Sequence, residues 1–233
     1  MKIKVINPAT KIPEETVQDM EIYLKKYLRR DTILEFQGLE NGLPSIETEA
    51  QGIINGAEML SVIGKIKPSE YDGIFVNCFD DPALIAAREI SAIPVMGPYA
   101  PSISFASLLS DRIAVITTDD YGIICEERKA KRYGFQISAI KKVDLTVLDL
   151  NNGPLIHKVV TDCRELEKEG IYAAVLGCTG MSTFAEFIQK ELKSTKSKVQ
   201  IIEPMRCGLM ALEHMISGGY TNKVYSTPIR TER

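Results

Sequence analysis

The sequence has few of the residues that usually bind metal ions, with two histidines and five cysteines, and it contains no C-x-x-C pair. A tetrahedral zinc site usually draws on closely spaced cysteine or histidine ligands, so we expect no metal centre. An odd number of cysteines also argues against a disulfide framework. The thiols are therefore expected to be reduced.

The sequence also lacks a long apolar run and a cluster of positive charge. No stretch approaches the roughly 18 apolar residues of a membrane-spanning helix. The first residues, M-K-I-K-V-I-N-P, alternate in polarity and reach Asn7 and Pro8 before a signal-peptide core can form. Lysine and arginine are scattered and the net charge is -3, whereas nucleic-acid binding requires a basic patch. We expect a cytoplasmic protein that binds neither membranes nor nucleic acids.

Apolar runs alternate with amphipathic segments throughout the chain, which predicts an α/β fold. In the first part, strands are predicted at 2–6, 32–36, 74–77 and 94–96, and helices at 13–30, 48–65 and 82–90. In the second part, strands are predicted at 112–116, 143–148, 173–176 and 199–202, and helices at 121–133, 155–169 and 184–192. This alternation implies mostly parallel sheets with right-handed crossovers.

The same order of elements occurs twice, which predicts two α/β domains related by a pseudo-twofold axis. Each domain has a mostly parallel sheet flanked by helices. Residues 1–98 and 207–225 form the first domain, and residues 99–206 form the second. The loops at 41–44 and 151–154 correspond, segments 98–107 and 204–212 cross between the domains, and a helix at 207–217 returns to the first.

Two predicted strands each end in a cysteine, Cys78 after G-I-F-V-N and Cys178 after A-A-V-L-G. Ligands of parallel sheets bind beyond the carboxyl ends of the strands, so the two thiols meet in one cleft if the domains face each other. A thiolate on one face of a carbon and a thiol on the other can remove a proton and return it, which is racemisation without a cofactor. Because a free cysteine has a pKa of about 8.5, the base needs help from helix N-terminal N–H groups.

A cysteine at a strand end is more often a small buried apolar residue than a catalytic one. We keep that interpretation for Cys125, Cys163 and Cys207. The paired placement of Cys78 and Cys178 favours a catalytic role for those two. Glu203 has two possible roles, which are to orient a substrate amide or to provide a charge at the end of a strand.

Five motifs are spread along almost the whole chain: I-N-P-A-T at 6–10, L-P-S-I-E at 43–47, N-C-F-D-D-P at 77–82, V-I-T-T at 115–118 and V-L-G-C-T-G-M at 175–181. They resemble the aspartate/glutamate racemase superfamily and, within it, the hydantoin racemase branch. Amino-acid racemases of the superfamily usually have C-N-T at the first cysteine, whereas Phe79 and Asp80 follow Cys78 here. Hydantoin racemases typically show C-F-G-D-P and G-C-A-G-M, so Asp80 and Thr179 depart from that branch, and amino-acid racemases favour the threonine.

The resemblance implies that Cys78 and Cys178 are the acid/base groups, acting at C5 of 5-substituted hydantoins or of a related ureide such as allantoin. It implies a cofactor-independent enzyme with a small-molecule substrate, assembled as a homo-oligomer, with its active site in the cleft between the domains. The implied substrate contacts are Asn7, Ser45, Ile46, Phe79, Thr117, Thr118, Thr179 and Gly180. Two alternatives stay open, an aspartate-type amino-acid racemase and a non-catalytic ligand-binding protein on the same fold.

Overall fold

The computed structural model describes residues 1–10, 12–150 and 154–222. The chain divides into two compact units, Met1–Gly97 together with the chain from Gly208 onward, and Pro98–Cys207. The predicted loop residues 151–153, and residues 223–225 of the predicted first domain, lie outside the described part of the chain.

The first unit is built on a four-stranded parallel sheet in the order β2-β1-β3-β4. Its strands are β1 (Lys2–Thr10), β2 (Ile33–Leu39), β3 (Gly73–Val76) and β4 (Val95–Met96). Its helices are α1 (Glu14–Leu24), α2 (Glu49–Ile63) and α3 (Leu84–Ile90).

The second unit repeats this arrangement with the strand order β6-β5-β7-β8, again all parallel. Its strands are β5 (Ile113–Thr117), β6 (Ala139–Lys142), β7 (Ala173–Leu176) and β8 (Gln200–Ile202). Its helices are α4 (Tyr99–Leu109), α5 (Asp120–Tyr133), α6 (Pro154–Lys168) and α7 (Ala185–Ser194). Helix α8 (Pro204–Ser217) follows β8, and from Gly208 onward it belongs to the first unit. The predicted α/β class, with two parallel sheets flanked by helices, is confirmed.

The interior strands β3 and β7 are buried along their whole length. Every residue of G-I-F-V in β3 and of A-A-V-L in β7 is buried. Parallel strands covered by helices on both faces read as continuous apolar runs, which is why these two were recognisable in the sequence. Each run ends at a glycine or asparagine followed by a cysteine, so the core of each unit fixes the position of its cysteine.

The predicted end of β1 at Asn7 and Pro8 is wrong, because the strand continues to Thr10. Pairing with β3 ends at Ile6, and the register with β2 is irregular between Ile6 and Thr10. Proline lacks a backbone N–H, and it is tolerated where the ladder is interrupted in this way.

The predicted strand at 143–148 is also wrong, since the strand is β6 at Ala139–Lys142. Val143, the first residue of the predicted segment, still donates to the carbonyl of Thr117 at 3.0 Å, and Leu145 donates to the carbonyl of Thr118 at 3.3 Å. Asp144 then has a left-handed φ of 57°, which turns the chain out of an extended path. A 3-10 helix at Val147–Asp149 follows.

Two further boundaries differ from the prediction. The segment predicted as a crossing at 98–107 is largely helix α4, which packs against β5, β7 and β8. Helix α1 ends at Leu24 instead of residue 30, and turn hydrogen bonds such as Leu28 N–H to the Leu24 carbonyl, at 3.1 Å, follow it.

Candidate active site

Cys78 lies two residues beyond the last paired residue of β3. Val76 pairs with Ile6 of β1, and the N–H of Asn77 donates to the Ile6 carbonyl at 2.8 Å. The Cys78 side chain is half-buried, and its backbone carbonyl accepts from the N–H of Asp81 at 3.1 Å. Asp81 has a left-handed φ of 50°, an uncommon conformation for a residue with a side chain. The turn after Cys78 therefore carries local backbone strain, as functional turns often do.

Cys178 occupies the corresponding place in the second sheet. Leu176 pairs with Ile116 of β5, and the N–H of Gly177 donates to the Ile116 carbonyl at 2.7 Å. Cys178 is half-buried and begins a 3-10 helix at Thr179–Phe184. Its sulfur accepts from the N–H of Gly180 at 3.4 Å. Hydrogen bonds to an ionised acceptor are stronger than those to a neutral one, so this donor favours the thiolate over the thiol.

Asn7 is held beside the residue that precedes Cys78. The side-chain N–H of Asn77 donates to the side-chain oxygen of Asn7 at 2.5 Å. Asn7 is 3% exposed, and Phe79, on the other side of the cysteine, is 2% exposed. Both predicted contacts therefore lie in the buried surroundings of the Cys78 segment.

Ser45 and Ile46 are buried residues of the loop between β2 and α2. The Ser45 hydroxyl donates to the carboxylate of Glu47 at 2.9 Å. Asn55 of α2 accepts from the N–H of Leu43 at 2.8 Å and donates to the carbonyl of Pro8 at 2.8 Å. These bonds attach the loop to the end of β1, one residue beyond Asn7.

Thr117 and Thr118 are buried at the end of β5, in the second unit. The Thr117 backbone lies directly against Gly177, and its side chain packs against Gly122 of α5. The carbonyl of Thr118 accepts from the N–H of Leu145 at 3.3 Å. Thr117 is thus the neighbour of the glycine that precedes Cys178.

The predicted site residues form two sets, one in each unit. Thr179 is buried and Gly180 is half-buried, and both follow Cys178 directly. The first set is Asn7, Ser45, Ile46, Cys78 and Phe79, and the second is Thr117, Thr118, Cys178, Thr179 and Gly180.

The other three cysteines are poorly suited to act as bases. Burial raises the pKa of the Cys163 thiol to about 12. Burial, with the nearby charge of Glu203, raises the pKa of the Cys207 thiol to about 12 as well. Cys125 is buried within α5. Cys78 and Cys178 differ from these three in following the ends of strands, whereas Cys207 is also half-buried but lies in helix α8.

Glu203 has a structural role that the sequence alone does not decide. Its carboxylate accepts from the backbone N–H groups of Met205 at 2.6 Å and Arg206 at 2.8 Å, and from the hydroxyl of Ser182. The residue before a proline at the start of a helix is the usual capping position, so the Glu203-Pro204 pair was a signal for this cap. The bond to Ser182 had no sequence signal.

In the described ranges, no three histidine, cysteine or acidic side chains are grouped as they would be to bind a metal ion. Among the same residues, no helix combines the length and the apolar character needed to cross a membrane.

The model of the Asp/Glu/Hydantoin racemase family matches residues 3–212. The chain belongs to this family. It is 30% identical to a hydantoin racemase of Pseudomonas sp. (strain NS671) over 100% of this chain and 94% of that protein. It is 31% identical to a hydantoin racemase of Rhizobium meliloti over 77% of this chain and 75% of that protein.

A solved allantoin racemase from Klebsiella pneumoniae is also similar. It superposes with a TM-score of 0.85 at 29% identity, covering 95% of this chain and 89% of that chain. As a member of the racemase family, the protein is an isomerase, and the predicted recognition is confirmed.

Proposed function

We propose that this racemase inverts C5 of 5-substituted hydantoins or of a related ureide such as allantoin, without a cofactor. Similarity to two hydantoin racemases and to an allantoin racemase supports the substrate class. The observation that carries the mechanism is the equivalent placement of Cys78 and Cys178, each half-buried and two residues beyond an interior strand.

In the proposed reaction, the thiolate of one cysteine removes the C5 proton from one face of the ring. The bonding electrons delocalise onto the adjacent ring carbonyl and form an enolate. The thiol of the other cysteine delivers its proton to the opposite face, so the ring is inverted and the two cysteines exchange protonation states. Exchange of protons with water returns the two cysteines to their starting protonation states, so successive molecules of the same enantiomer can be inverted and no other reactant is consumed.

A hydantoin suits two thiols because its ring carbonyl and ureido group acidify the C5 proton. The α-proton of a free amino acid is much less acidic and would demand more stabilisation of the carbanion. An enolate oxygen is stabilised by donors that are already oriented before the reaction. The side-chain amide of Asn7 and the hydroxyls of Thr117 and Thr118 are the donors we assign to this role.

The remaining proposed contacts fit the rest of such a ring. Ile46 and Phe79 are buried apolar side chains suited to the 5-substituent. Ser45, Thr179 and the backbone of Gly180 offer polar groups for the ureido edge. We further propose that the enzyme works in the cytoplasm and that it is a homo-oligomer. Light scattering after size-exclusion chromatography tests the oligomeric state.

The function is tested by incubating one enantiomer of 5-benzylhydantoin, of allantoin or of aspartate with the enzyme in heavy water containing a chelator. Optical rotation reports inversion, and proton NMR of the C5 or α position reports exchange. A sample without enzyme corrects for spontaneous exchange of the acidic C5 proton. We expect both signals to change with a hydantoin or allantoin. Turnover of aspartate alone would favour the amino-acid racemase, and no turnover of the two ring compounds would reject the proposal.

A further inference from the structure

Glu203 is a fully buried carboxylate at the end of β8, in the same unit as Cys178. Its exposed fraction is 0%. Burial raises the pKa of its carboxyl group, and the hydrogen bonds from Ser182, Arg206 and Met205 act in the opposite direction. Burying a carboxylate is costly unless its oxygens receive hydrogen bonds, so these three donors hold the side chain in one place.

Capping helix α8 does not by itself explain a glutamate at this position. The side chains preferred at the capping position are those of Ser, Thr, Asp and Asn, which are short enough to reach the first free N–H groups. Glutamate has one methylene more than aspartate. Here its carboxylate meets the N–H groups of Met205 and Arg206 and also the hydroxyl of Ser182. The additional length therefore connects the helix to a second segment.

That second segment is the 3-10 helix that begins at Cys178. Ser182 is 1% exposed and lies in this helix. The N–H of Met181 donates to the Cys178 carbonyl at 3.1 Å, and the N–H of Gly180 donates to the Cys178 sulfur at 3.4 Å. The direction of the Gly180 N–H depends on the path of this short helix, and the bond from Ser182 to Glu203 anchors the helix four residues after the cysteine.

We propose that Glu203 is a positioning residue for the Cys178 thiol and acts through Ser182. By anchoring Ser182, Glu203 keeps the Gly180 N–H directed at the sulfur, which stabilises the thiolate that removes or returns the proton. The assignment rests on the proposed function, in which Cys178 is one of the two acid/base groups.

The hydrogen bond between Ser182 and Glu203 can be removed by changing either residue. Ser182→Ala removes the hydroxyl and leaves the cap of α8 intact. Glu203→Asp keeps the charge and a preferred capping side chain, but it draws the carboxylate back from Ser182. Ser102→Ala is the matched control, since Ser102 is equally buried in the same unit and donates to the Pro98 carbonyl at 2.7 Å.

The readout is the alkylation rate of Cys178 in the folded enzyme, measured with iodoacetamide and peptide-resolved mass spectrometry across a pH series. Cys78, in the other unit, is the internal reference. We expect both test variants to alkylate Cys178 about three- to tenfold more slowly near neutral pH, the equivalent of one hydrogen bond. We also expect the pH profile of Cys178 alkylation to move to higher pH. Cys78 should react at its wild-type rate in every variant, and Ser102→Ala should match the wild type.

Alkylation of Cys178 at the wild-type rate and with the wild-type pH profile in both test variants would overturn the assignment. If Ser182→Ala does not fold, Glu203→Asp decides alone, because it retains the cap. The alkylation assay needs no substrate, so its outcome is separate from that of the racemase assay. A wild-type enzyme that racemises neither ring compound would reject the proposed function whatever the alkylation rates are.

Discussion

The side-chain amide of Asn55 donates a hydrogen bond to the backbone carbonyl of Pro8 at 2.8 Å. The same amide donates to the carbonyl of Leu43 at 3.1 Å, and its oxygen accepts from the Leu43 N–H at 2.8 Å. One fully buried side chain therefore connects the end of β1 to the loop that contains Ser45 and Ile46. Both segments carry proposed substrate contacts.

Asn55→Ala is expected to destabilise the protein by about 2–4 kcal/mol, because it leaves the buried carbonyl of Pro8 and the part-buried N–H of Leu43 without this partner. The loop also loses its attachment, so we expect KM to rise more than kcat falls. Urea unfolding and steady-state kinetics measure the two effects. Asn41→Ala is the control, since Asn41 is exposed and its side chain makes a long 3.4 Å contact with Glu58. Equal effects of the two substitutions would contradict this role for Asn55.

The parts of the fold that the sequence predicted best are the ones with the simplest physical cause. Strands β3 and β7 are buried on both faces, so their apolar runs and the cysteines after them were visible directly. The α/β class and the two parallel sheets followed from the alternation of such runs with helical periodicity.

The errors arose where tertiary context decides the local conformation. Pro8 continues a strand because the ladder is interrupted there, and no local pattern signals that interruption. Strand β6 lies at the edge of its sheet and carries Lys141 and Lys142, so it lacks an apolar signature. The alternating residues after it resemble a strand, but the left-handed Asp144 prevents one.

The candidate site was predictable only as a set of chain positions. The motifs gave the two cysteines and the neighbouring polar residues. The hydrogen bonds around these residues, such as Asn77 to Asn7 and Ser182 to Glu203, join residues that are 70 and 21 positions apart. Such pairs depend on strand register and on helix starts, which one sequence does not contain.

Gly122→Ala is expected to displace Thr117. A methyl group on Gly122 would overlap the Thr117 hydroxyl and would lie 3.0 Å from the Thr117 β- and γ-carbons. Overpacking of this kind typically costs about 1–3 kcal/mol. Because Thr117 is a proposed donor to the enolate, kcat should fall as well. Thermal unfolding and the racemase assay measure these changes.

Gly52→Ala is the matched control for that substitution. Gly52 lies in helix α2, and a methyl group there would meet the Ile46 side chain at an ordinary 3.7 Å. Replacing a helical glycine with alanine usually stabilises a protein by about 0.5–1 kcal/mol. A Gly122→Ala enzyme as stable as Gly52→Ala would show that the Thr117 contact is not tight.

The free energy of unfolding should fall in acid because of Glu35. Hydrogen bonds from Lys2, Lys4 and Tyr71 hold the pKa of Glu35 at about 2, below the value of about 4.3 expected in an unfolded chain. The folded state therefore binds this proton less readily, and the stabilisation present above about pH 4.3 is lost as the pH falls towards 2. The side chain is 40% exposed, so after solvent screening we expect a loss of about 1 kcal/mol.

Urea unfolding of the wild type and of Glu35→Gln over this acid range measures the effect. The variant should have a flatter pH dependence. Glu165→Gln, which removes an exposed carboxylate next to Lys141, is the control for the loss of one surface charge. Parallel curves for the wild type and Glu35→Gln would contradict the assignment.

Cys78→Ser and Cys178→Ser test the two-thiol mechanism most directly, with each enantiomer of one hydantoin followed in heavy water. Each variant keeps one thiol, so it can remove a proton from one face but cannot return one to the other. We predict that both variants lose racemisation by at least about two orders of magnitude, the scale of general acid–base catalysis. Each should still exchange the C5 proton of one enantiomer, and the two variants should differ in which one. Full racemisation by either variant, or exchange of the same enantiomer by both, would contradict the mechanism.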